Sequence, residues 1–369
     1  KRTMTTNNQC KTCGDSECSD SVKRPGEREE DFAERQAMES RLRQIKHKIL
    51  VLSGKGGVGK STVAANLATA LALAGKKVGI LDVDIHGPSI PKLLHVDKES
   101  LSGGGNTIYP VQTDSLGVDM KVMSVGFMLR EKTDAVIWRG PRKYGLIKQF
   151  VKDVEWGRLD YLIVDAPPGT GDEPLAVAEL LGNADGAIIV TTPQEVSVQD
   201  VRRCVGFCRQ LNLPVLGVVE NMSGFVCPKC GERVNIFGVD GGKIMAEELN
   251  VPYLTSVPIE PETVLSGDKG YPIVMSNSHS ETSKAFGKIV RLLLEKSEGG
   301  SLLKKVSIEK GKPFRIAVPI TNGVLSSHFG HCEHFAIFDV DSDGKSIINR
   351  KQVTPPPHEP GSFPKWLHE

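Results

Sequence analysis

The segment GKGGVGKS at 54–61 decides more about this chain than any other stretch. It stands between an apolar run, KILVLS at 48–53, and a stretch with helical periodicity over 61–74. A phosphate-binding loop must lie at such a junction, because the N-terminus of the second element offers unpaired N–H groups and favours negative charge. Gly54, Gly56, Gly57 and Gly59, with Val58 among them, let the backbone amides turn inward around phosphate oxygens. Lys60 brings a compact positive charge to the β- and γ-phosphates, Ser61 supplies a hydroxyl for Mg²⁺, and Thr62 completes the nucleotide-binding set. An ATP site is therefore expected, and the flanking strand and helix disfavour a glycine turn without a ligand. Lys55 is the unusual member. Directly after the first glycine, it cannot easily point at its own phosphates, but it can reach a nucleotide across a two-fold interface. The competing reading of Lys55 is a solvent-facing lysine.

Around this loop, apolar runs alternate with helical stretches. The runs are KVGILDVD at 77–84, LDYLIVDAPP at 159–168, GAIIVTTP at 186–193 and PVLGVVENMS at 214–223. The helical stretches lie near 174–181, 198–211 and 281–296. Continuous Val/Ile/Leu strands interleaved with helices indicate a parallel sheet buried on both faces. The expected fold class is α/β, a three-layer, doubly wound, mostly parallel sheet. Ahead of it, residues 31–47 place Phe32, Met38, Leu42 and Ile45 near helical spacing, which predicts an amphipathic lead-in helix. Residues 1–30 are polar and aperiodic, so they read as a tail ordered only by a ligand. After SEGGSLLKK at 297–305 a new strand, FRIAVPI at 314–320, opens a second unit. The expected division is a tail over 1–30, a nucleotide-binding domain over 31–298, a linker over 299–311 and a partial α/β domain over 312–369. The last contains strands at 315–320 and 335–340 and a helix starting near Phe363. It is short for an independent core. The chain opens KRTM and stops at KWLHE, on a helix start with nothing to pack against, so a fragment or an edited form is expected.

Composition narrows the function classes. The 369 residues suffice for two domains, 25% are charged, and the net charge is +1 with both signs interspersed. No long-range field singles out nucleic acid, so specificity must come from local sites. No apolar run spans a bilayer and the N-terminus has no signal-peptide core, so the expected location is the cytoplasm, without membrane attachment.

Eight cysteines are the second strong feature: Cys10, Cys13, Cys18, Cys204, Cys208, Cys227, Cys230 and Cys332. In a reducing compartment, pairs two residues apart bind metal or do redox work more often than they form disulfides. Cys227 and Cys230 lie in FVCPKCGE, where Pro and Gly tighten the turn so that both thiolates point one way. Zinc and [4Fe-4S] sites both want about four ligands. No second CxxC follows at zinc-ribbon distance, so one chain is two ligands short, and a two-fold axis completes the set. A structural zinc knuckle finished by other residues is the competing reading. Lys55 and this half-site independently call for a homodimer. Cys204 and Cys208, four apart on a predicted helix, share one face and read as buried small hydrophobes.

The phosphate loop resembles the deviant Walker A of the MinD, ParA, nitrogenase iron protein and Mrp/ApbC group. That resemblance implies that Lys55 acts in trans, that Asp84 in DVDIHGPS orients the attacking water with Asp82 near the metal, and that Asp165 is a Walker B carboxylate for magnesium. The glycine-rich loop after Asp165 senses the γ-phosphate, and Asp172 is either a loop cap or part of that switch. Asn221 matches the adenine-reading position or is a turn asparagine. With WRGP at 138–141, DAPPGTGD and ENMSGFVCPKCG added, residues 48–296 look like the Mrp/ApbC iron–sulfur cluster carrier family. Membership implies a [4Fe-4S] cluster bridged between two subunits by Cys227 and Cys230, passed to apoproteins under the control of ATP. Cys10, Cys13 and Cys18 resemble the N-terminal cluster motif of the family's eukaryotic cytosolic branch, without its far upstream fourth cysteine, and are candidates for a second cluster. The stretch IAVPITNGVLSSHFGHCEHFAIFDVD resembles the first half of the NifX and NifB type cofactor-binding domain, of ribonuclease H-like fold. It gathers His328, His331, Cys332 and His334 in one loop, where metal contact and idle histidines are both open. Two further functions compete: a ParA or MinD-like positioning switch with a zinc knuckle, and electron transfer as in the nitrogenase iron protein. The first wants a basic surface or a terminal membrane helix, and the second spaces its cysteines far apart.

Overall fold

The computed structural model describes residues 23, 26–85, 87–105, 107–128, 140–227, 229–297, 314–321, 324–325, 334–340 and 347–354. It divides into two units, 1–297 and 298–369. The first begins with α1 (Glu29–Leu42), β1 (Ile45–Ser53), α2 (Lys60–Leu73), β2 (Val78–Asp82) and the short α3 (Ile90–Leu93). A small hairpin of β3 (Ser102–Gly104) and β4 (Thr107–Tyr109) precedes β5 (Val111–Gln112), β6 (Met120–Ser124) and α4 (Gly140–Asp153). Then come β7 (Leu159–Asp165), α5 (Asp172–Leu181), β8 (Gly186–Thr191), α6 (Glu195–Gln210) and β9 (Val215–Val226). The unit ends with β10 (Arg233–Val234), α7 (Gly241–Glu248), β11 (Tyr253–Ile259), α8 (Pro261–Asp268), α9 (Ile273–Ser276) and α10 (Glu281–Ser297).

The main sheet runs β5-β6-β2-β7-β1-β8-β9, with β11 and β10 both paired to β9. From β6 to β9 every neighbouring pair is parallel, while β5 and β10 are antiparallel to their partners. Alternate residues of each strand feed opposite layers. Leu50, Leu52, Leu81 and Val164 pack with α4, α5 and α6, whereas Ile49, Val51, Ile80 and Ile163 pack with α2 and α10. The doubly wound reading thus holds. Strand order reverses on either side of β1, and the crevice beyond its carboxyl end is where such sheets take their ligands.

The lead-in helix is shorter than its sequence pattern predicts. It ends at Leu42, and Ile45 and His47 belong to β1, paired with Leu159 and Tyr161. The helical and extended paths both bury Ile45, but only the extended one gives the backbone of 45–47 a ladder partner. The helix is also less amphipathic than expected. Leu42 is buried, but Phe32 and Met38 stay partly exposed, and α1 is tied to α4 through Glu34, which accepts from Lys148 at 2.5 Å and Lys152 at 3.0 Å. The pattern of 107–153 and 233–276 hid β6, α4, α7, β11 and α8, because polar residues such as Lys121 break the short apolar runs.

In the second unit β12 (Phe314–Thr321), β13 (Val324–Leu325), β14 (His334–Val340) and β15 (Ile347–Val353) form an antiparallel sheet ordered β13-β12-β14-β15. Two of these strands match the sequence reading. The unexpected ones are the short β13 and β15; β15 reads IINRKQV, a polar edge strand with most of its described side chains exposed. The helix expected near Phe363 lies outside the described residues.

At the carboxyl ends of β2 and β7, Asp82 and Asp165 are register partners, and both are fully buried. Asp82 ties three elements together: Oδ1 accepts from the Asp84 amide at 3.1 Å, and Oδ2 from the Ser124 hydroxyl at 2.9 Å and the Ile90 amide at 3.4 Å. Burial first, and the neighbouring Asp165 charge second, pushes Asp82 up to about 8. A carboxyl raised in the folded state holds a proton that the unfolded chain has released. Its share of stability is whole below the ordinary carboxylate range and is lost as pH rises through about 8. In nucleotide-free, magnesium-free protein, Asp82→Asn is expected to flatten the fall of the urea midpoint between about pH 4 and about pH 8; an unchanged slope against pH would refute the assignment. Leu50→Ala in the fully buried heart of β1 is expected to cost about 2–5 kcal/mol and Leu50→Met less than about 1.5 kcal/mol, read from the urea midpoint at constant m.

Candidate functional site

The GKGGVGKS loop joins β1 to α2 as its sequence demands. Gly57 and Gly59 adopt left-handed φ values of 82° and 80°, which other residues reach only at a cost. Gly59 is the N-cap of α2, and no side chain caps that end, so its first N–H groups remain for a ligand. Gly54 packs so closely on α6 that a Cβ there would lie 2.5 Å from the Asp200 carbonyl, whereas at Gly56 and Gly57 a Cβ would meet nothing within 4 Å. One glycine anchors the loop and two line an open cradle. Lys55 is half-buried and makes no ion pair with a described residue.

Lys60 is buried, donating to Asp165 Oδ1 at 2.5 Å and lying 3.5 Å from Asp84 Oδ2. Burial holds Asp165 above the usual carboxylate range; the Lys60 charge, and then the Ser61 hydroxyl, pull it back, while Asp84 pushes the same way as burial. The second oxygen of Asp165 is buried without a hydrogen-bond partner. An orphaned carboxylate oxygen beside a serine hydroxyl is a hard-oxygen donor set, and these residues fit a magnesium ion. Asp82 stands next to them with both oxygens already engaged by Asp84, Ile90 and Ser124. Beyond β7, Gly169 donates its amide to the Ser53 carbonyl at 2.8 Å, tying the following loop to the end of β1. Asp172 is the first residue of α5, after N-cap Gly171, and makes no capping bond; its charge complements the helix dipole.

A cavity of about 480 Å³ opens beside Gly59 and Thr62. Asn221, Met222, Phe237, Pro258 and Val264 give it mostly apolar walls, suited to a heteroaromatic base. Asn221 belongs to β9, not to a turn, and its Nδ2 donates to the Val58 carbonyl at 2.9 Å. It therefore grips the phosphate loop while lining the cavity. The sequence reading gave no role to Met222, Phe237, Pro258 and Val264, because separate segments converge there and only Met222 lies within a quoted motif.

The cysteine pair sits where β9 turns back into β10, with Val226 opposite Arg233. The turn is closed by the Cys227 amide donating to Glu232 O at 2.9 Å and the Gly231 amide to Cys227 O at 2.8 Å, with Gly231 at a φ of 73°. The backbone amides of Cys230 and Lys229, then the Cys230 thiol, hold the Cys227 thiol below its ordinary range. Cys227 is half-buried and Cys230 exposed. Among the described residues, no group of three His, Cys, Asp or Glu is placed to hold a metal, so the pair stands as a half-set. Cys204 and Cys208 are buried in α6, and burial pushes them up to about 12 and about 11, which makes them poor nucleophiles. Cys10, Cys13, Cys18, Trp138, Arg139, His328, His331 and Cys332 lie outside the described residues. His334 opens β14 opposite Ile320, with its Nε2 buried and unpartnered.

Comparison with known proteins agrees with this geometry. Residues 44–294 match the family model described as NUBPL iron-transfer P-loop NTPase, and 312–369 match the one described as dinitrogenase iron-molybdenum cofactor. An iron-sulfur cluster carrier protein of Methanocaldococcus jannaschii is 51% identical over 258 residues, 70% of this chain and 87% of the relative. The cytosolic Fe-S cluster assembly factor NUBP2 of Bos taurus is 50% identical over 261 residues, 70% of this chain and 96% of its own. Among solved structures, a nucleotide-binding protein of Archaeoglobus fulgidus in complex with ADP gives a TM-score of 0.59 at 39% identity, covering 68% of this chain and 96% of that one. A chain of the MinC:MinD cell division complex of Aquifex aeolicus shares the fold at a TM-score of 0.51 and 24% identity, over 67% of this chain and 96% of its own. No helix among the described residues is long and apolar enough to cross a membrane. With more than half of its length under a single family model, the chain belongs to the iron-transfer P-loop NTPase family.

Proposed function

We propose that this chain is an ATP-dependent carrier that holds a [4Fe-4S] cluster between two copies of itself, on Cys227 and Cys230 of each, and passes it to apoproteins in the cytoplasm. The observation that carries this reading is the half-site itself. Two thiols sit on a pre-shaped turn with backbone amides aimed at one sulfur, and the described residues of the same chain offer no third ligand. A zinc knuckle within one chain would need two more ligands there, so a positioning switch with structural zinc is the weaker reading.

The nucleotide site supplies the switch. Lys60 leaves its 2.5 Å pair with Asp165 to meet the β- and γ-phosphates, and the open cradle at Gly56 and Gly57 takes their oxygens. Magnesium, held by Ser61 and Asp165 with Asp82 beside them, neutralises phosphate charge when bound. Asp84 orients the attacking water, Asn221 exchanges its Val58 contact for the adenine, and Lys55 reaches the nucleotide of the second copy. Hydrolysis is slow and coupled to loading or release. Cluster transfer is a ligand exchange: client thiolates replace Cys227 and Cys230 on iron, and no oxidation state changes. Cys10, Cys13 and Cys18 remain candidates for a second cluster.

Anaerobic reconstitution with iron and sulfide tests the cluster. The wild-type chain is expected to gain visible charge-transfer absorption and to run as a dimer, and Cys227→Ser to lose both; full absorption that persists and transfers in Cys227→Ser would sink the proposal. Lys55→Ala is expected to bind the cluster normally while ATP turnover falls by on the order of 10³, as for other cations supplied in trans to a phosphoryl group. Unchanged turnover would leave Lys55 with no role across the interface.

A further inference from the structure

We propose that Glu220 is a positioning residue that ties the cysteine turn to the nucleotide loop, so that nucleotide occupancy alters the reactivity of Cys227 and Cys230. This rests on the carrier reading only in treating those thiols as the working groups.

Glu220 and Asn221 are consecutive residues of β9, so their side chains leave on opposite faces of the sheet. Asn221 grips the phosphate loop through Val58 O, at 2.9 Å. On the other face Glu220 is fully buried and accepts three hydrogen bonds: from the Ser223 hydroxyl at 2.6 Å, the Asp240 amide at 3.1 Å and the Gly242 amide at 2.6 Å. The last two belong to the start of α7. Asp240 is its N-cap, in a left-handed conformation with φ 63°, and makes no side-chain cap. A carboxylate from a neighbouring strand thus does the capping, a charge-assisted arrangement that the helix dipole reinforces.

The segment closed in this way is the one that carries the cysteines. It departs from β9 at Cys227 and returns at Asp240. Its return point has little slack: a Cβ on Gly241 would lie 2.2 Å from the Pro193 carbonyl, and one on Gly242 would lie 2.9 Å from Thr191 Cγ2 and 3.0 Å from Glu220 Oε2. Between Asn221 and Cys227 the strand is irregular, with Met222 at φ 57° and Gly224 at φ 80°, and its pairing with β11 slips between Val257 and Ile259. A long side chain held left-handed stores strain that a second conformation can release. A base that enters the cavity and competes for the Asn221 amide pulls on β9 at that residue. Glu220, one peptide bond away, hands the movement to Asp240 and Gly242, and so to the segment bearing both thiols.

A carboxylate can accept from three donors here, but the amide of Gln turns an N–H toward backbone N–H groups that need acceptors. Glu220→Gln therefore loosens the closure and touches neither the phosphate loop nor the thiols. The test uses the full cluster-free chain. Iodoacetamide labelling of the peptide holding Cys227 and Cys230 is followed by mass spectrometry, with and without saturating Mg-ATP, beside ATP affinity by titration. In the wild type ATP is expected to change the labelling rate about 5-fold or more, the lower end of ordinary coupling between sites. Glu220→Gln is expected to keep its ATP affinity within about twofold and to lose the rate change. Survival of the ATP effect in Glu220→Gln, or its absence from the wild type, would overturn the proposal. Should Glu220→Gln fail to fold by circular dichroism, Ser223→Ala removes one of the three donors and must reduce the ATP effect, an undiminished effect counting against it. A chain that shows the labelling effect but takes up no cluster would refute the carrier reading and leave this one standing.

Discussion

The buried contact between Lys60 and Asp165 is the constraint around which the nucleotide site is arranged. Parallel pairing of β1 with β7 sets Val51 opposite Asp165, and the loop after β1 brings Lys60 to within 2.5 Å of that carboxylate. Taking an ion pair out of water is costly unless its remaining valences are met, and here they are met incompletely. Asp82, Asp84 and Asp165 outnumber the single ammonium of Lys60, one oxygen of Asp165 has no donor, and Asp82 is driven toward its protonated form. Under the proposed function a divalent cation would supply the missing charge, and a polyphosphate would give Lys60 a better partner.

The second organising element is β9. It is twelve residues long, twice the length of β8 beside it, and it runs from the core of the sheet out to the cysteine turn. In the core it contributes Val218 and Val219 to opposite layers; farther along, Glu220 and Asn221 do the same with polar groups; at its end it presents a thiol. Regular parallel pairing of Gly217 to Glu220 with β8, followed by left-handed backbone at Met222 and Gly224, gives one strand a regular middle and an irregular end. Such a strand offers a physical route by which the nucleotide site and the cysteine turn could influence each other without touching.

Legibility in the sequence followed the strength of local signals. GKGGVGKS could be placed because its glycines answer a local backbone demand, and Gly57 and Gly59 meet it with positive φ. The buried strands could be placed because they are continuous and apolar. The cysteine turn could be placed because Cys227 to Gly231 is a complete local unit, closed by its own hydrogen bonds. By contrast Met222, Phe237, Pro258 and Val264 form the cavity wall only after β9, the stretch between β10 and α7, β11 and α8 are packed, and Ile45 fitted the helical period until β7 offered it a ladder. Glu220 lies within ENMSGFVCPKCG, yet the sequence assigns it no role, since a glutamate there has no local meaning until Asp240 and Gly242 are brought to it.

The sequence by itself determined the doubly wound sheet, the phosphate loop and the paired thiols, because each is encoded in residues that are neighbours along the chain. Only the tertiary structure decided which carboxylate holds Lys60, which asparagine face meets the loop, and which buried acid closes the cysteine-bearing segment. Those contacts join residues separated by 105, 163 and 22 positions, and a hydrogen bond between such distant groups is specified by how layers pack, not by any pattern that a short window of sequence can carry.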